Sequence, residues 1–255
     1  VLLVIDPDFS PRPLLVLDFD GTVCVGDAPV LAYAEAAIGE LEADLDRETF
    51  ERSAAEIRGR LGAFLDAEHG DAVVIAPYVD GYGAVAAIAG EFLDRDRLYA
   101  AFLASRRALA DGGIVVGTPT GLAEFLDELG TLGRGIERVL VTNSPAGGIL
   151  ETLARLGIAD SIDRVVTSAA KPTGWEWLLP ELLEGRAPSA ILSVGDIWRN
   201  DLEAFNAAGC VTAFIDRFGQ DTVPATVVAS HFEGLYESIR DWAAAATGVD
   251  LIAHP

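Results

Sequence analysis

A chain of 255 residues, half of them hydrophobic, is long enough for one large core or two modest ones, and its scattered glycine and proline are those of a folded protein. A formal net charge of −22 argues against nucleic-acid binding, which needs clustered Lys and Arg against phosphate. The longest apolar runs, such as Val73–Ala76 and Ala84–Ala89, are broken by Pro77 and Asp80 and fall far short of a bilayer span, so no membrane segment is expected.

Val1–Ile5 has neither a basic flank nor a long apolar core, so no targeting segment is expected there. Cys24 and Cys210 form neither a disulfide framework nor a metal-ligand spacing, which suits a reducing cytoplasm. Arginine outnumbers lysine seventeen to one, and Lys171 is the single lysine. A chain that uses arginine almost everywhere and keeps one lysine points to a position that needs a compact ammonium rather than a planar guanidinium, the alternative being a lysine left by chance.

In chain order, Leu14–Leu17 reads as a short buried strand that stops at Asp18, Asp20 and Gly21. From about Ala28 to Ala110 the pattern is helical. Leu31, Ala34, Ile38, Leu41 and Leu45 form one apolar stripe; Phe50, Ile57, Leu61 and Leu65 form a second; Leu98, Phe102 and Leu109 mark a later helix. His69–Asp71 reads as a loop, and Gly81 and Gly83 as punctuation. Thr118-Pro119 resembles an N-cap and first turn for a helix carrying Leu122, Phe125, Leu126 and Leu129.

Val139–Val141 is the next strand, and Pro145 is expected to open a helix with Ile149, Leu153 and Leu156 on one face. Arg164–Thr167, Ile191–Val194 and Val211–Ile215 read as further strands, with helices near Thr173–Leu183 and Asp201–Ala208. Alternating strand and helix predicts an α/β fold, a doubly wound parallel sheet covered on both faces. The expected division is an α/β core from residues 1–26 and 116–255, with a helical insertion at 27–115.

Ligands of an open parallel sheet sit at the carboxyl ends of its strands, and four such ends carry related chemistry. The first is Asp18-Phe19-Asp20-Gly21-Thr22, with two carboxylates and a glycine that lets the chain turn away. The second is Thr142-Asn143-Ser144, whose hydroxyl and backbone N–H groups can hold an anion. The third is Lys171-Pro172, and the fourth is Gly195-Asp196 followed by Asn200-Asp201. Four aspartates (18, 20, 196 and 201) against one lysine must either hold protons or bind a cation. Oxygen donors without His or Cys favour magnesium over zinc.

Taken singly, each motif has an ordinary reading. Acid pairs such as Asp6 with Asp8 or Asp94 with Asp96 are loop or helix-start residues, and Asp201 alone could be a first-turn helix carboxylate. All four in order, each at a strand end, make coincidence improbable.

Together these segments resemble the four signature motifs of the haloacid dehalogenase-like superfamily, over residues 12–25 and 117–245, including the run Ala207-Ala208-Gly209 after the fourth. The resemblance implies a magnesium-dependent phosphohydrolase acting on a small-molecule phosphoester. Asp18 would be the nucleophile and Asp20 the general acid/base. Thr142 and Lys171 would bind phosphoryl oxygens with Asn143 beside them, and Lys171 would also restrain Asp18. Mg2+ would be ligated by Asp18, Asp196 and the backbone carbonyl of Asp20, with Asn200 and Asp201 supporting that shell.

The insertion resembles the family's helical cap of the first class. Where many relatives have an acidic residue followed by Ser after the first motif, this chain reads Val23-Cys24-Val25-Gly26-Asp27, so the cap hinge and any role of Asp27 are not carried over. Dehalogenases of the superfamily need neither the second aspartate nor a metal, whereas a phosphomutase would share every core residue; a non-catalytic relative would have lost charged positions that are all present here. Within the insertion, His69, Tyr78, Asp80, Tyr82, Arg106 and Arg107 could meet substrate. Tyr78 reads first as insertion core and Arg106-Arg107 as a solvated helix face. His231 and His254 read as structural or exposed, and oligomeric state leaves no trace in the sequence.

Overall fold

A computed structural model describes residues 11–67, 78–219 and 222–249. Six strands, β1 (Leu14–Leu17), β2 (Glu137–Val141), β3 (Arg164–Val166), β4 (Ile191–Gly195), β5 (Val211–Ile215) and β6 (Val227–Ala229), form one sheet in the order β3-β2-β1-β4-β5-β6. Every neighbouring pair is parallel. The order reverses between β1 and β4, the crevice where doubly wound sheets take their ligands.

Alternation along β1 explains why this strand lies at the centre. Leu15 and Leu17 enter the apolar cluster on one face of the sheet, with Leu126, Leu129, Leu153 and Ile239, while Leu14 and Val16 enter the cluster on the other, with Trp175, Leu178 and Phe205. A strand buried on both faces must be apolar throughout, and β1 reads Leu-Leu-Val-Leu.

Among the described residues, the insertion comprises α1 (Ala28–Leu41), α2 (Arg47–Leu65), α3 (Gly81–Ala89) and α4 (Arg95–Ala110). It has an apolar cluster of its own, built on Ala34, Ile38, Ile57, Phe64 and Ile88. The chain leaves and re-enters the α/β layer side by side: Val25 and Gly117 exchange both backbone hydrogen bonds, at 2.9 and 3.0 Å. The α/β layer adds α5 (Leu122–Thr131), α6 (Ile149–Arg155), α7 (Trp175–Leu183), α8 (Glu203–Ala207) and α9 (Tyr236–Thr247).

Several local expectations need correction. Leu31 is exposed rather than part of the α1 stripe. Gly81 and Gly83 do not interrupt the insertion; they form the first turn of α3, where the Asp80 side chain caps Gly83 N–H at 2.7 Å. Thr118-Pro119 does not start α5, because Gly121, at φ +75°, makes that turn. Pro145 likewise does not open α6, which begins at Ile149 after Gly148 at φ +88°. The helix expected at Asp201–Ala208 is a π-helical turn, Trp198–Leu202, running into the short α8. His69–Asp71 and His254 lie outside the described residues, and His231 is exposed.

Gly148 also joins the two layers. A Cβ there would lie 2.4 Å from the Cβ of Ala110 at the end of α4. Replacement by alanine would combine a left-handed non-glycine residue with a collision across that seam. Gly148→Ala is expected to lower stability by about 2 kcal/mol or more, read as a shift of the urea midpoint with an unchanged slope.

Candidate active site

The site is assembled from the ends of β1, β2 and β4 and the loop after β3. Register places them together: Leu17 pairs with both Leu140 and Val194, and Asp18 N–H continues the ladder to the Val194 carbonyl at 3.0 Å. Beyond Asp18 the chain coils around one acceptor. The carbonyl of Phe19 receives the N–H groups of Thr22, Val23 and Cys24 at 3.3, 3.1 and 2.9 Å.

Two glycines permit the acids to crowd. Gly21 sits at φ +82°, and a Cβ on it would lie 2.1 Å from Asp196 Oδ2. A Cβ on Gly195 would lie 2.3 Å from that of Asp201. The chain therefore needs glycine at both places to bring Asp196 against the first loop and to fold the π-turn back over β4.

Lys171 occupies the centre, almost fully buried. Its Nζ donates to Asp18 Oδ1 at 2.6 Å, to Asp201 Oδ1 at 2.6 Å and to the Val141 carbonyl at 2.9 Å. All three ammonium protons are thereby committed, and contact with a phosphoryl oxygen would require exchange of one of these bonds. Burial alone would lower the Lys171 pKa, but the charges of Asp18 and Asp201 outweigh it and the pKa rises.

The loop carrying Lys171 includes two non-glycine residues at positive φ, Ser168 (51°) and Ala170 (54°). Such residues cost of order 1–3 kcal/mol each and persist only where neighbours hold them. Here the β2 loop does so. Ser168 N–H donates to the Ser144 carbonyl at 2.9 Å and Ala169 N–H to that of Thr142 at 3.0 Å. Asn143 accepts from Lys171 N–H at 2.6 Å and donates to the Lys171 carbonyl at 3.0 Å. Asn143, expected beside the phosphate, thus commits its carbonyl and one amide proton to the Lys171 main chain. Thr142 is buried, and its hydroxyl oxygen accepts from Ser144 N–H at 3.0 Å, which leaves its proton free to donate.

The nucleophile candidate, Asp18, is bracketed by Lys171 on Oδ1 and by the Thr22 hydroxyl on Oδ2 at 3.3 Å. Burial pushes its pKa up to about 7; Lys171 pulls the other way, while Asp201 and Asp20 add to the rise. The pKa of Asp196 is also raised, by burial first and then by Asp18 and Asp201.

Carboxylate oxygens of Asp18, Asp196 and Asp201 lie within 4.8 Å of one another. Those of Asp201 are taken, by Lys171 and by Ile197 N–H at 3.0 Å, but Asp196 Oδ1 is buried without a partner. An orphaned buried carboxylate oxygen among hard oxygen donors fits a divalent cation such as magnesium. Asn200 lies in the π-turn, where its carbonyl accepts from the Trp175 indole at 2.5 Å.

Asp20 holds a different position. Its carboxylate is outside the metal-type cluster and accepts three hydrogen bonds: from Ser144 Oγ at 2.9 Å, Arg106 Nη1 at 2.9 Å and the Tyr82 hydroxyl at 3.2 Å. Arg106 is therefore not part of a solvated face, although Arg107 beside it is exposed. Tyr78 packs edge-on against Phe64 in the insertion cluster, as expected. Asp27 forms a two-pronged ion pair with Arg217, at 2.7 and 3.1 Å.

A cavity of about 700 Å3 opens between the layers, lined by Asp20, Asp196, Tyr82, Trp198, Phe214 and Phe232 among others. That volume suits a small-molecule ligand.

No protein-family model matches the chain, and no curated protein does. Solved structures match over most of its length. A predicted phosphoglycolate phosphatase from Haemophilus somnus superimposes with a TM-score of 0.57 at 16% identity, covering 89% of this chain and 98% of that one. The HAD-hydrolase YfnB from Bacillus subtilis, bound to magnesium, gives 0.56 at 16% identity with the same coverage. L-2-haloacid dehalogenase from Xanthobacter autotrophicus, with chloropropionic acid covalently bound, gives 0.50 at 18% identity, covering 90% and 99%. The chain has the haloacid dehalogenase-like hydrolase fold. Phosphatases and dehalogenases both share that fold. Among the described residues no helix is long and apolar enough to cross a membrane.

Two expectations follow from the electrostatics. A carboxyl whose pKa is raised by folding, as Asp18 is from 3.8 to about 7, stabilises the native state fully below pH 4 and loses that contribution as pH climbs through 7. In chelator, the melting temperature should therefore fall between pH 4 and 7. Asp196→Asn, which removes a second carboxyl whose pKa is raised, chiefly by burial, should flatten that fall and abolish any rise in melting temperature on adding magnesium, as read by differential scanning fluorimetry. Separately, Lys171→Arg places a planar fork where three acceptors converge on a single nitrogen. A loss of hydrolytic turnover of at least about a hundredfold is expected, with the rate of hydrolysis of a generic aryl phosphate as the measurement.

Proposed function

We propose that this protein is a magnesium-dependent phosphohydrolase that cleaves a small phosphomonoester through an aspartyl-phosphate on Asp18, with Asp20 as general acid/base. The observation that carries this reading is the division of labour between the two aspartates. Asp18 faces the lysine and the acidic cluster, whereas Asp20 is turned to Ser144, Tyr82 and Arg106. A nucleophile and a separate proton carrier are what the transfer of a phosphoryl group to a side chain, and then to water, requires.

In the first step an oxygen of Asp18 attacks phosphorus, the bond from phosphorus to the ester oxygen breaks, and Asp20 delivers a proton to the departing alcohol. In the second, Asp20 takes a proton from water, whose oxygen attacks the same phosphorus and releases Asp18. Lys171 favours the ionised form of Asp18 against its burial and aligns it, and the Thr142 hydroxyl offers a donor to a phosphoryl oxygen. Asp18, Asp196 and the Asp20 carbonyl would hold magnesium, with Asp201 and Asn200 around them. When bound, the ion supplies positive charge that offsets the buried carboxylates and the incoming phosphate. The helical insertion acts as a cap over the cavity and excludes water.

Dehalogenation on the same fold would leave Asp20 and Asp196 without a task. A phosphomutase would use every residue named here, and transfer to a second alcohol in place of water would distinguish it.

The test uses nitrophenyl phosphate, whose leaving group needs little help from an acid. Turnover should vanish in excess chelator and return with magnesium, with calcium a poor substitute. Asp20→Asn should release a burst of about one nitrophenol per site and then stall, with phosphate retained on Asp18 in the acid-quenched intact mass. Asp18→Asn should show neither burst nor label. A label on any other residue, or full activity in chelator, would overturn the mechanism.

A further inference from the structure

Arg106 belongs to α4, in the insertion, yet its guanidinium reaches the first strand end 86 residues away in sequence. It is 5% exposed, its Nη1 donates to both Asp20 Oδ1 (2.9 Å) and the Tyr82 hydroxyl (3.0 Å), and its guanidinium carbon lies 5.8 Å from the centre of the Phe19 ring. Tyr82, from α3, donates in turn to the same Asp20 Oδ1 at 3.2 Å. A buried guanidinium is costly unless paired, and the partner here is the proton carrier itself. Arg106 is not among the residues lining the cavity, whereas Asp20 and Tyr82 are, so its place is behind Asp20 and away from substrate.

The acceptor count singles out one oxygen of Asp20. A carboxylate offers about four lone-pair positions, two on each oxygen. Oδ1 takes both insertion-borne donors, Arg106 and Tyr82, and is saturated; Oδ2 takes only Ser144 Oγ and keeps one position open. The seating of α4 on the core is set a single turn further along. Arg155 of α6 donates to the carbonyls of Leu109 (2.5 Å) and Ala110 (3.0 Å), a cation on the negative end of the α4 dipole.

We infer that Arg106 and Tyr82 are positioning residues that lock Asp20 with Oδ2 as its working oxygen, so that the proton carrier is complete only when the helical insertion is seated on the core. This inference rests on the phosphohydrolase reading and adds the residues that make the insertion part of the chemistry. Two of the three donors that fix Asp20 leave with the insertion when it lifts, and Ser144 alone leaves the carboxylate free to rotate.

The experiment is a double-mutant cycle on nitrophenyl phosphate, followed by rapid mixing and intact mass, in wild type, Asp20→Asn, Arg106→Gln, Tyr82→Phe and the Asp20→Asn/Arg106→Gln pair. Arg106→Gln should lower steady-state turnover about ten- to a hundredfold, the scale of a catalytic group displaced by about an ångström. It should keep KM within about twofold and the full burst, with phosphate accumulating on Asp18, because only the step that needs Asp20 is slowed. The pair should be no more than about threefold worse than Asp20→Asn alone, since a residue that acts through Asp20 has nothing left to position. Tyr82→Phe removes one hydroxyl and should move the same quantities in the same direction by about threefold, which settles the matter if Arg106→Gln does not fold. Losses that multiply in the pair, or a burst that shrinks in step with turnover, would overturn the inference. Wild-type protein that releases no phosphate would overturn the phosphohydrolase reading, and this inference with it.

Discussion

One buried ammonium organises the site. Lys171 Nζ holds Asp18, Asp201 and the Val141 carbonyl in its three donor directions, and each partner comes from a different strand end. Without that charge, the two carboxylates would face each other in a poorly solvated space where like charges repel by several kcal/mol. The loop that delivers the lysine is held at some conformational cost, with Ser168 and Ala170 at positive φ. That cost is met by the paired loops: Asn143, Ser144 and Thr142 each accept from or donate to the segment 168–171. The second motif therefore supports the third as much as it faces a substrate.

The lysine neutralises only part of the acidity. Asp196 remains buried beside the first loop with one oxygen lacking a partner, and its pKa is raised by burial and by the surrounding carboxylates. Glycine at 21 and 195 is what allows this crowding, because a side chain at either place would force Asp196 or Asp201 away. A protein that keeps two close approaches of this kind holds repulsion in reserve for a ligand to relieve. A divalent cation is the kind of ligand matched to such carboxylates.

How much of this was legible in the sequence depended on whether a signal was local. Three strands of the sheet, β1, β2 and β4, run directly into their polar motifs, so apolar runs followed by Asp, Thr or Asp again were enough to find them. The third strand was found from its valines, and Lys171 from composition. Helix starts were missed where the chain used left-handed glycines, Gly121 and Gly148, in place of the N-cap expected at Thr118 and the opening proline expected at Pro145. Arg106 was named among the insertion positions that could meet substrate, but its partner was missed for a different reason. An Arg-Arg pair on a helix looks solvated, and nothing nearby in sequence announces a carboxylate 86 residues upstream. Only the packing of the insertion on the core brings them together.

The bias of seventeen arginines to one lysine has a structural counterpart in the shape of the acceptors. Apart from Arg106, whose two acceptors both meet Nη1, the arginines that this chain buries or half-buries have their acceptors spread around the guanidinium. Arg138 serves Asp163 and the Leu126 carbonyl, and Arg186 serves Glu137 together with the carbonyls of Arg12 and Leu182. Arg155 and Arg217 likewise bridge the insertion and the core through separate nitrogens, to the end of α4 and to Asp27. A planar fork with five donors suits acceptors that lie side by side. At position 171 the three acceptors converge instead on one point, from Asp18, Asp201 and Val141. A fork spreads its donors over three nitrogens, whereas one tetrahedral ammonium nitrogen reaches all three acceptors from a single point. The lone lysine is thus set by the geometry of its partners, and that geometry is set in turn by three parallel strands ending at the same level of the sheet.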